Sequence, residues 1–367
     1  MTSFNFSNIP YSTPLSVGAT VPIWEPMKHP YELKEIIGQG AYGKVYKAYD
    51  PVDQNIVAIK EIPIPPTQKK LKTLENEIEL LKILTQLPEG VEDHVEDYES
   101  SNTGVDNAVD NVYNAVDNVD NAVEETKDKK SGKKSLGKRC HPNVICYLDH
   151  YQKGNNLYIV TEFIDGISLK KLIKDQWTTK WVYNYGTPLK YQAGRPYPVP
   201  VVVEVILEDL MKAVQHLHRY DQIHRDIKPE NIIIVNPYKD PEAVLIDLGL
   251  ACMGQNCTGT GGTPIYMAPE RIMAELANKR PLPLDMLKMS DIFSVGASLY
   301  ELMVGQNFYP VNIYTKDELI DFVVMKYPAL DYKWYNDKQL QDIVGSFLKR
   351  RPSMRMTPEV VIRDLNS

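Results

Sequence analysis

The sequence contains no stretch of 18 apolar residues, and it therefore lacks a candidate membrane-spanning helix. Residues 1–30 contain several prolines and lack the positively charged start and apolar core of a secretory signal. We therefore expect an intracellular protein, cytoplasmic or alternatively nuclear, and neither a membrane nor a nucleic acid as its partner. The prolines predict an N-terminal arm over 1–30 that is either disordered or draped over the folded part.

Cysteine is scarce, and its spacing excludes the commonest zinc patterns. The four cysteines, Cys140, Cys146, Cys252 and Cys257, contain no CxxC pair. Cysteines without such a pattern in an intracellular protein are usually reduced. We therefore expect four free thiols.

Basic residues are missing from one long acidic segment. Between Glu89 and Glu125 there are twelve acidic residues and no lysine or arginine, although the whole chain has a net charge of only −7. The other residues comprise 36 acids and 41 bases, a net charge of +5. The acidity therefore belongs to one segment. The chain of 367 residues, 43% of them apolar, is otherwise ordinary for a globular protein with a sizeable core.

The run Ile223-His224-Arg225-Asp226-Ile227-Lys228-Pro229-Glu230-Asn231 combines a carboxylate, an ammonium group and an amide within six residues. Asp226 can accept a hydroxyl proton, Lys228 can neutralise charge on a phosphoryl group, and Asn231 can offer an oxygen to a magnesium ion. The run resembles the catalytic loop of eukaryotic-type protein kinases, in which His-Arg-Asp is followed by four further residues and then Asn.

A glycine-rich segment near the N-terminus supports this resemblance. Gly38, Gly40 and Gly43 have no Cβ, so backbone amides there can approach phosphate oxygens closely. A dinucleotide-binding fold would need a helix directly after these glycines, whereas residues 44–49 predict a strand. The resemblance implies that the hairpin tip covers the phosphates of ATP, with the residues Gly38, Gln39, Gly40, Ala41, Tyr42, Gly43, Lys44 and Val45.

The next strand and helix carry the expected nucleotide-binding charges. Val57-Ala58-Ile59-Lys60 is similar to the kinase strand whose lysine grips the α- and β-phosphates. Apolar residues at spacings of three and four predict a helix over 68–86. Glu77 on this helix best matches the glutamate that pairs with the lysine, and Glu75 is the alternative. The resemblance further implies an adenine site formed by Ala58, the gatekeeper Thr161, and the hinge residues Glu162, Phe163 and Ile164.

A second carboxylate ends another predicted strand, at Asp247-Leu248-Gly249. Kinases usually have Asp-Phe-Gly here, and the leucine keeps an apolar side chain without altering the metal ligand. The resemblance implies that Asp247 and Asn231 hold magnesium, with manganese as the alternative ion.

The segment after this strand resembles a kinase activation segment. Thr258 and Thr260 are its phosphorylatable positions, and Arg225 is the type of arginine that pairs with a loop phosphate. Thr263, before the Ala268-Pro269-Glu270 motif, matches the threonine that contacts the catalytic aspartate and lysine in serine/threonine kinases. The resemblance also implies that Asp291 braces the catalytic loop and that Arg355 pairs with Glu270.

Two segments have no counterpart in this resemblance. The first, 88–139, contains a repeat with valines at positions 105, 109, 112, 116, 119 and 123, which is coiled-coil spacing. Because valine, aspartate and asparagine form helices poorly, we weigh a disordered repeat against a helix that forms with a partner at 105–123. The second, 175–200, is rich in tryptophan, tyrosine and proline and predicts either packing on the lower lobe or a docking surface.

The motifs together predict an α+β, bilobal protein-kinase fold. Residues 31–165 would form an N-lobe with a five-stranded antiparallel sheet and one helix, and 166–367 a mainly helical C-lobe. The expected function is ATP-dependent phosphorylation of protein serine or threonine, and the alternative is a catalytically weak scaffold that binds partners through its insertions. Glu230 suggests a preference for a basic residue before the acceptor, although Ser168 provides no second acid nearby.

Overall fold

The structure is a computed structural model. It describes residues 27, 29–40, 43–86, 140–177, 200–237, 240–254, 257, 261–276, 281–310, 318, 322–323, 326–332 and 335–366. Several expectations therefore lie outside the described residues. They concern most of the arm 1–30, the insertion 88–139 with its repeat, residues 178–199 of the second insertion, and Ala41, Tyr42, Thr258 and Thr260.

Five strands form the N-terminal sheet: β1 (Glu32–Gly40), β2 (Gly43–Asp50), β3 (Asn55–Pro63), β4 (Tyr147–Lys153) and β5 (Asn156–Glu162). All neighbouring strands are antiparallel, in the spatial order β1-β2-β3-β5-β4. Alternation along β3 buries Val57 and Ile59 on one face, in a cluster that also contains Tyr151 and Tyr158. The opposite face carries Lys60.

Helix α1 (Gln68–Gln86) covers the face of the sheet that carries Lys60. Its apolar stripe is buried against Ile62 and Ile159, and it contains Leu71, Leu74, Ile78, Leu81 and Leu84. These residues recur every three or four positions and therefore lie on one side of a 3.6-residue helix. The helix has the bounds that the sequence pattern predicted, so this prediction is confirmed.

A mainly helical part follows the sheet. Its α-helices within the described residues are α2 (Leu169–Trp177), α3 (Pro200–Arg219), α4 (Pro269–Leu276), α5 (Leu284–Val304), α6 (Lys338–Phe347) and α7 (Pro358–Leu365). Helix α5 is central, with every residue from Ser290 to Met303 buried. A Cβ on its Gly296 would lie 2.6 Å from the Cβ of Phe347, so close packing against α6 requires glycine there.

Short strands within the helical part position the predicted catalytic loop. Strand β6 (Gly166–Ser168) pairs with β8 (Ile232–Val235), and β8 pairs with β9 (Glu242–Leu245). Strand β7 (Gln222–Ile223) pairs with β10 (Cys252–Met253). The loop 224–231 therefore connects β7 to β8, and each of these strands is held by hydrogen bonds to other strands. The five-stranded antiparallel sheet followed by a mainly helical part confirms the predicted α+β class.

The expectation of free thiols is wrong in this structure. Disulfides join Cys140 with Cys146, whose Cα atoms are 5.6 Å apart, and Cys252 with Cys257, whose Cα atoms are 5.0 Å apart. Both separations lie in the range that a disulfide spans. CxxC spacing does not reveal these pairs, because local turns bring together cysteines that are six and five residues apart.

No helix among the described residues is both long and apolar enough to cross a bilayer.

Candidate active site

A fully buried carboxylate shapes the loop between β7 and β8. Asp291 on α5 accepts backbone N–H groups from His224 and Arg225 at 2.8 and 2.9 Å, and its Oδ2 lies 3.1 Å from Nε2 of His218. Burial alone would raise the pKa of Asp291, but the hydrogen bond and charge of His218 outweigh it and hold the pKa below its ordinary value. These contacts compensate for the strained backbone of Arg225, which has φ 71°.

Two predicted site residues, Lys228 and Thr263, meet at the carboxylate of a third, Asp226. Lys228 donates from Nζ to Oδ2 of Asp226 at 2.6 Å, and Thr263 donates from Oγ1 to Oδ1 at 2.9 Å. Lys228 also donates to Oγ1 of Thr263 at 3.0 Å, which closes a triangle. The loop after β7 and the segment before α4 are therefore joined through side chains at one carboxylate, which can accept a proton from a hydroxyl placed beside it.

Asn231 connects this carboxylate to the strand that precedes Asp247. Its amide nitrogen donates to the backbone oxygen of Asp226 at 2.9 Å and to Oδ2 at 3.3 Å. Its backbone oxygen accepts the N–H of Ile246 at 2.9 Å, so residue 247 follows directly from this contact. With its nitrogen oriented toward Asp226, the amide of Asn231 keeps its side-chain oxygen for a cation.

A second set of charges joins the sheet to the helical part. Nζ of Lys60 lies 2.9 Å from Oε1 of Glu77 on α1 and 2.9 Å from Oδ1 of Asp247. Burial lowers the pKa of Lys60, but the two carboxylates more than offset this effect and the pKa is raised. Burial raises the pKa of Asp247, and Lys60 reverses that effect, so the pKa is lowered. Lys60 and Asp247 are therefore both charged at neutral pH.

The choice between Glu77 and Glu75 follows from which helix face each residue occupies. Glu77 is buried and contacts Lys60, whereas Glu75 lies two residues earlier, about 200° around α1.

We expect Glu77→Gln to lower kcat/KM for ATP about tenfold, because the ion pair with Lys60 becomes a weaker hydrogen bond from the ammonium group to an uncharged amide. Steady-state kinetics at varied ATP concentration measure this effect. Glu75→Gln is the matched control and should match the wild type; equal losses in both variants would contradict the assignment.

The glycines of the β1–β2 hairpin leave room beside the sheet. A Cβ at Gly40 would meet no atom within 4 Å, so open space surrounds this position. Gly43 has φ 133°, and a Cβ there would lie 2.0 Å from the backbone oxygen of Glu61. Only glycine fits position 43. Gly38 opposes Val45 across the hairpin, and Val45 in turn opposes Lys60, so the hairpin leads directly to the lysine.

The predicted adenine site lies at the end of β5. Thr161 opposes Ala58 on β3, on the same face as Lys60, since residues two apart on a strand share a face. Glu162 is anchored in both directions: its N–H donates to the oxygen of Cys146 at 3.0 Å, and its Oε1 accepts the N–H of Cys146 at 2.9 Å. The chain leaves the sheet at Phe163 and Ile164, which belong to no strand, so their backbone groups can serve a ligand.

Glu270 and Arg355 form a bidentate ion pair at the start of α4. The guanidinium Nη1 lies 2.6 Å from Oε1 of Glu270, and Nη2 donates to Oε2 at 2.8 Å. The arginine side chain is fully buried and also donates to the backbone oxygens of Lys349 and Met289. This pair fixes the end of the predicted activation segment to the helical core.

Arg271 is a site residue that the sequence analysis missed. Its guanidinium donates to the backbone oxygens of Arg225 and Gly261. Burial lowers the pKa of Arg225 to about 10, and the neighbouring Arg271 contributes to this shift. Two guanidinium groups therefore lie together beside Gly261. No local pattern marks Arg271, which simply follows the Ala268-Pro269-Glu270 motif.

The donor set suits a nucleotide with a hard divalent ion. Asp247 keeps 38% of its side chain exposed despite its contact with Lys60, and Asn231 supplies a neutral oxygen. Carboxylate and amide oxygens are the ligands that magnesium prefers. Lys60 is a fixed cation for a phosphate, and the open space at Gly40 admits one. The residues present thus fit ATP and magnesium, the groups that the resemblance implied.

Comparison with known proteins gives a consistent result. A model of the family described as protein kinase domain matches residues 105–365, more than two thirds of the chain. Serine/threonine-protein kinase 36 of Pongo abelii is 26% identical over 311 residues, which cover 82% of this chain and 17% of the relative. Calcium/calmodulin-dependent protein kinase type 1B of Homo sapiens is 23% identical over 339 residues, covering 91% of this chain and 74% of the relative.

A third relative is similar over a shorter region. Calcium-dependent protein kinase 5 of Plasmodium falciparum is 31% identical over 184 residues, which cover 49% of this chain and 27% of the relative. The chain spans about a sixth of the length of the first relative, serine/threonine-protein kinase 36. The family match begins at residue 105, so the hairpin, Lys60 and Glu77 lie before it.

Proposed function

Because the chain belongs to the protein kinase domain family, we propose that it transfers the γ-phosphate of ATP to serine and threonine hydroxyls of protein substrates. The observation that carries this proposal is the contact of Asp226 with both Lys228 and Thr263, at 2.6 and 2.9 Å. The residues match the serine/threonine pattern, and relatives at low identity are named as serine/threonine kinases.

Asp226 positions the substrate hydroxyl and accepts its proton in this proposal. Thr263 and Lys228 hold one carboxylate oxygen each, so the carboxylate is oriented before a substrate arrives. Such preorganisation contributes to catalysis because the group need not be ordered during the reaction. Lys228 also places a positive charge where the transferred phosphoryl group gains negative charge.

Lys60 would hold the α- and β-phosphates, and Glu77 keeps the lysine in place from α1. Asp247 and Asn231 would ligate magnesium or manganese, while residues 38–45 cover the phosphates. ATP, when bound with its metal ion, supplies the phosphoryl group and a neutralised leaving group. Adenine would lie against Ala58 and Thr161 and form hydrogen bonds with backbone groups of residues 162–164.

Phosphorylation of Thr258 or Thr260 is the proposed means of regulation. The described residue that follows this segment, Gly261, lies beside Arg225, because Nη2 of Arg225 is 3.5 Å from where a Cβ of Gly261 would lie. Burial and the charge of the neighbouring Arg271 lower the pKa of Arg225, because two positive charges lie close together. A phosphate beside these two guanidinium groups would offset their mutual repulsion through charge-assisted hydrogen bonds.

The test is transfer of labelled γ-phosphate from ATP and magnesium to a mixed protein acceptor, followed by identification of the modified residues. We expect phosphoserine and phosphothreonine. The Asp247→Asn variant should lose about a hundredfold or more in rate, because a neutral amide replaces a metal-binding carboxylate. Mass spectrometry of the chain itself tests for phosphate on Thr258 and Thr260.

Two results would contradict the proposal in different ways. Transfer that is equally absent in the wild type and in Asp247→Asn, while ATP still binds, would favour a scaffold that acts through its insertions. Transfer without phosphate at Thr258 or Thr260, and unchanged after both are replaced by alanine, would leave the activity standing and remove only the regulation.

A further inference from the structure

A partly exposed lysine, Lys170, lies among acidic groups next to the predicted catalytic loop. Nζ of Lys170, on α2, donates to Oε1 of Glu301 on α5 at 2.5 Å and lies 3.9 Å from Oε1 of Glu230. It also contacts the hydroxyl of Tyr266 at 3.4 Å. Position 168, where a second acid near Glu230 was considered, is a serine. The second acid near Lys170 is Glu301, which comes from α5.

This cluster adjoins the position of the substrate hydroxyl. Glu230 follows Asp226 by four residues, and Tyr266 follows Thr263 by three residues. Since Asp226 and Thr263 are hydrogen-bonded to each other, the two short segments start together and end together at the cluster. A peptide whose serine or threonine reaches Asp226 therefore has neighbouring residues within reach of Glu230 and Lys170.

The charges of the cluster define what it can bind. Glu301 is 6% exposed and accepts hydrogen bonds from Lys170, from Tyr266 at 2.6 Å and from Asn307 at 3.0 Å. Burial and Glu301 raise the pKa of Tyr266, so its hydroxyl stays protonated and donates a hydrogen bond to this carboxylate. Without Lys170 the nearly buried carboxylate of Glu301 and the half-exposed carboxylate of Glu230 would both lose their contact with this ammonium group.

We infer that Lys170 occupies the place of a basic substrate side chain and thereby sets the specificity of the proposed kinase reaction. Its ammonium group supplies the positive charge that Glu230 and Glu301 would otherwise take from an arginine or lysine near the acceptor. The natural acceptors then belong to a class without a required basic residue before the phosphorylated hydroxyl. This inference rests on the proposed function and goes beyond it by naming the substrate class.

The test is a set of serine peptides that differ only by arginine or glutamine at each position near the acceptor. The wild type should phosphorylate the members of each pair with kcat/KM values within about twofold. Lys170→Met should favour one arginine peptide about tenfold, through a lower KM at unchanged kcat, because the gain is in binding alone. Lys170→Arg should behave as the wild type, and adding Glu230→Gln to Lys170→Met should abolish the gain.

The neighbouring Lys171 provides the matched control. It lies on the same helix, 57% exposed, and pairs with Asp175 at 2.6 Å, so Lys171→Met should leave the peptide preference unchanged. Arginine preference already present in the wild type, or no gain in Lys170→Met, would overturn the inference while transfer itself persists. If no peptide or protein is phosphorylated at all, the proposed function fails, and the inference fails with it.

Discussion

Asp226→Asn is expected to lower kcat for phosphate transfer by about two to four orders of magnitude, the usual contribution of a positioned general base. Asparagine has the same shape and can still accept a hydrogen bond from Lys228 or Thr263. It has no carboxylate, so it accepts the substrate proton poorly. Binding of ATP should be nearly unchanged, because the Asp226 carboxylate is bonded to Lys228 and Thr263, whereas Lys60 is paired with Glu77.

Transfer rates at saturating ATP and a separate ATP titration distinguish these two effects. Asp221→Asn is a suitable control, because Asp221 also carries a lysine partner, Lys288, at 2.6 Å and lies five residues before Asp226. Its backbone has φ 54°, a conformation that asparagine adopts readily. This control should retain wild-type kcat. An Asp226→Asn enzyme with more than about a tenth of wild-type kcat would show that another group accepts the proton.

The elements that the sequence predicted well are those with a local repeating pattern. Helix α1 was predicted with its observed bounds, because the leucines and the isoleucine of its apolar stripe recur at helical spacing. Glycine spacing similarly indicated a hairpin, and β1 and β2 meet at Gly40 and Gly43. In both cases the information lies within about twenty residues of chain.

Features that depend on distant parts of the chain could not be predicted. Glu301 reaches Lys170 from 131 residues away, and only the packing of α5 against the rest of the helical part sets that distance. The positive φ angles of Arg225 and Asp247, 71° and 63°, also could not be predicted from a pattern, since residues other than glycine rarely adopt them. Arg225 lies in the predicted catalytic loop 224–231 and Asp247 lies next to it, and the surrounding contacts maintain the strain there. The two disulfides could not be predicted for a related reason, since the geometry of local turns determines whether the paired cysteines meet.

Arg355→Met is expected to destabilise the protein by about 3–5 kcal/mol, the usual cost of leaving a buried charge without its partner. The side chains of Arg355 and Glu270 are 0% and 11% exposed and form two parallel hydrogen bonds. Removal of the guanidinium also leaves the backbone oxygens of Lys349 and Met289 without this donor. Methionine fills part of the volume, and urea denaturation of the full chain measures the change in the free energy of unfolding.

Two further variants separate the buried charge from packing. Arg363→Met removes one partner of the pair between Arg363 and Asp364, which are 72% and 40% exposed, and should change the free energy of unfolding by less than about 1 kcal/mol. Adding Glu270→Met to Arg355→Met removes the unpaired carboxylate and should restore part of the lost stability, because two apolar side chains can replace a buried ion pair. If the double variant is no more stable than Arg355→Met alone, the loss comes from the orphaned backbone oxygens and from packing, and the ion pair then acts mainly to position the activation segment.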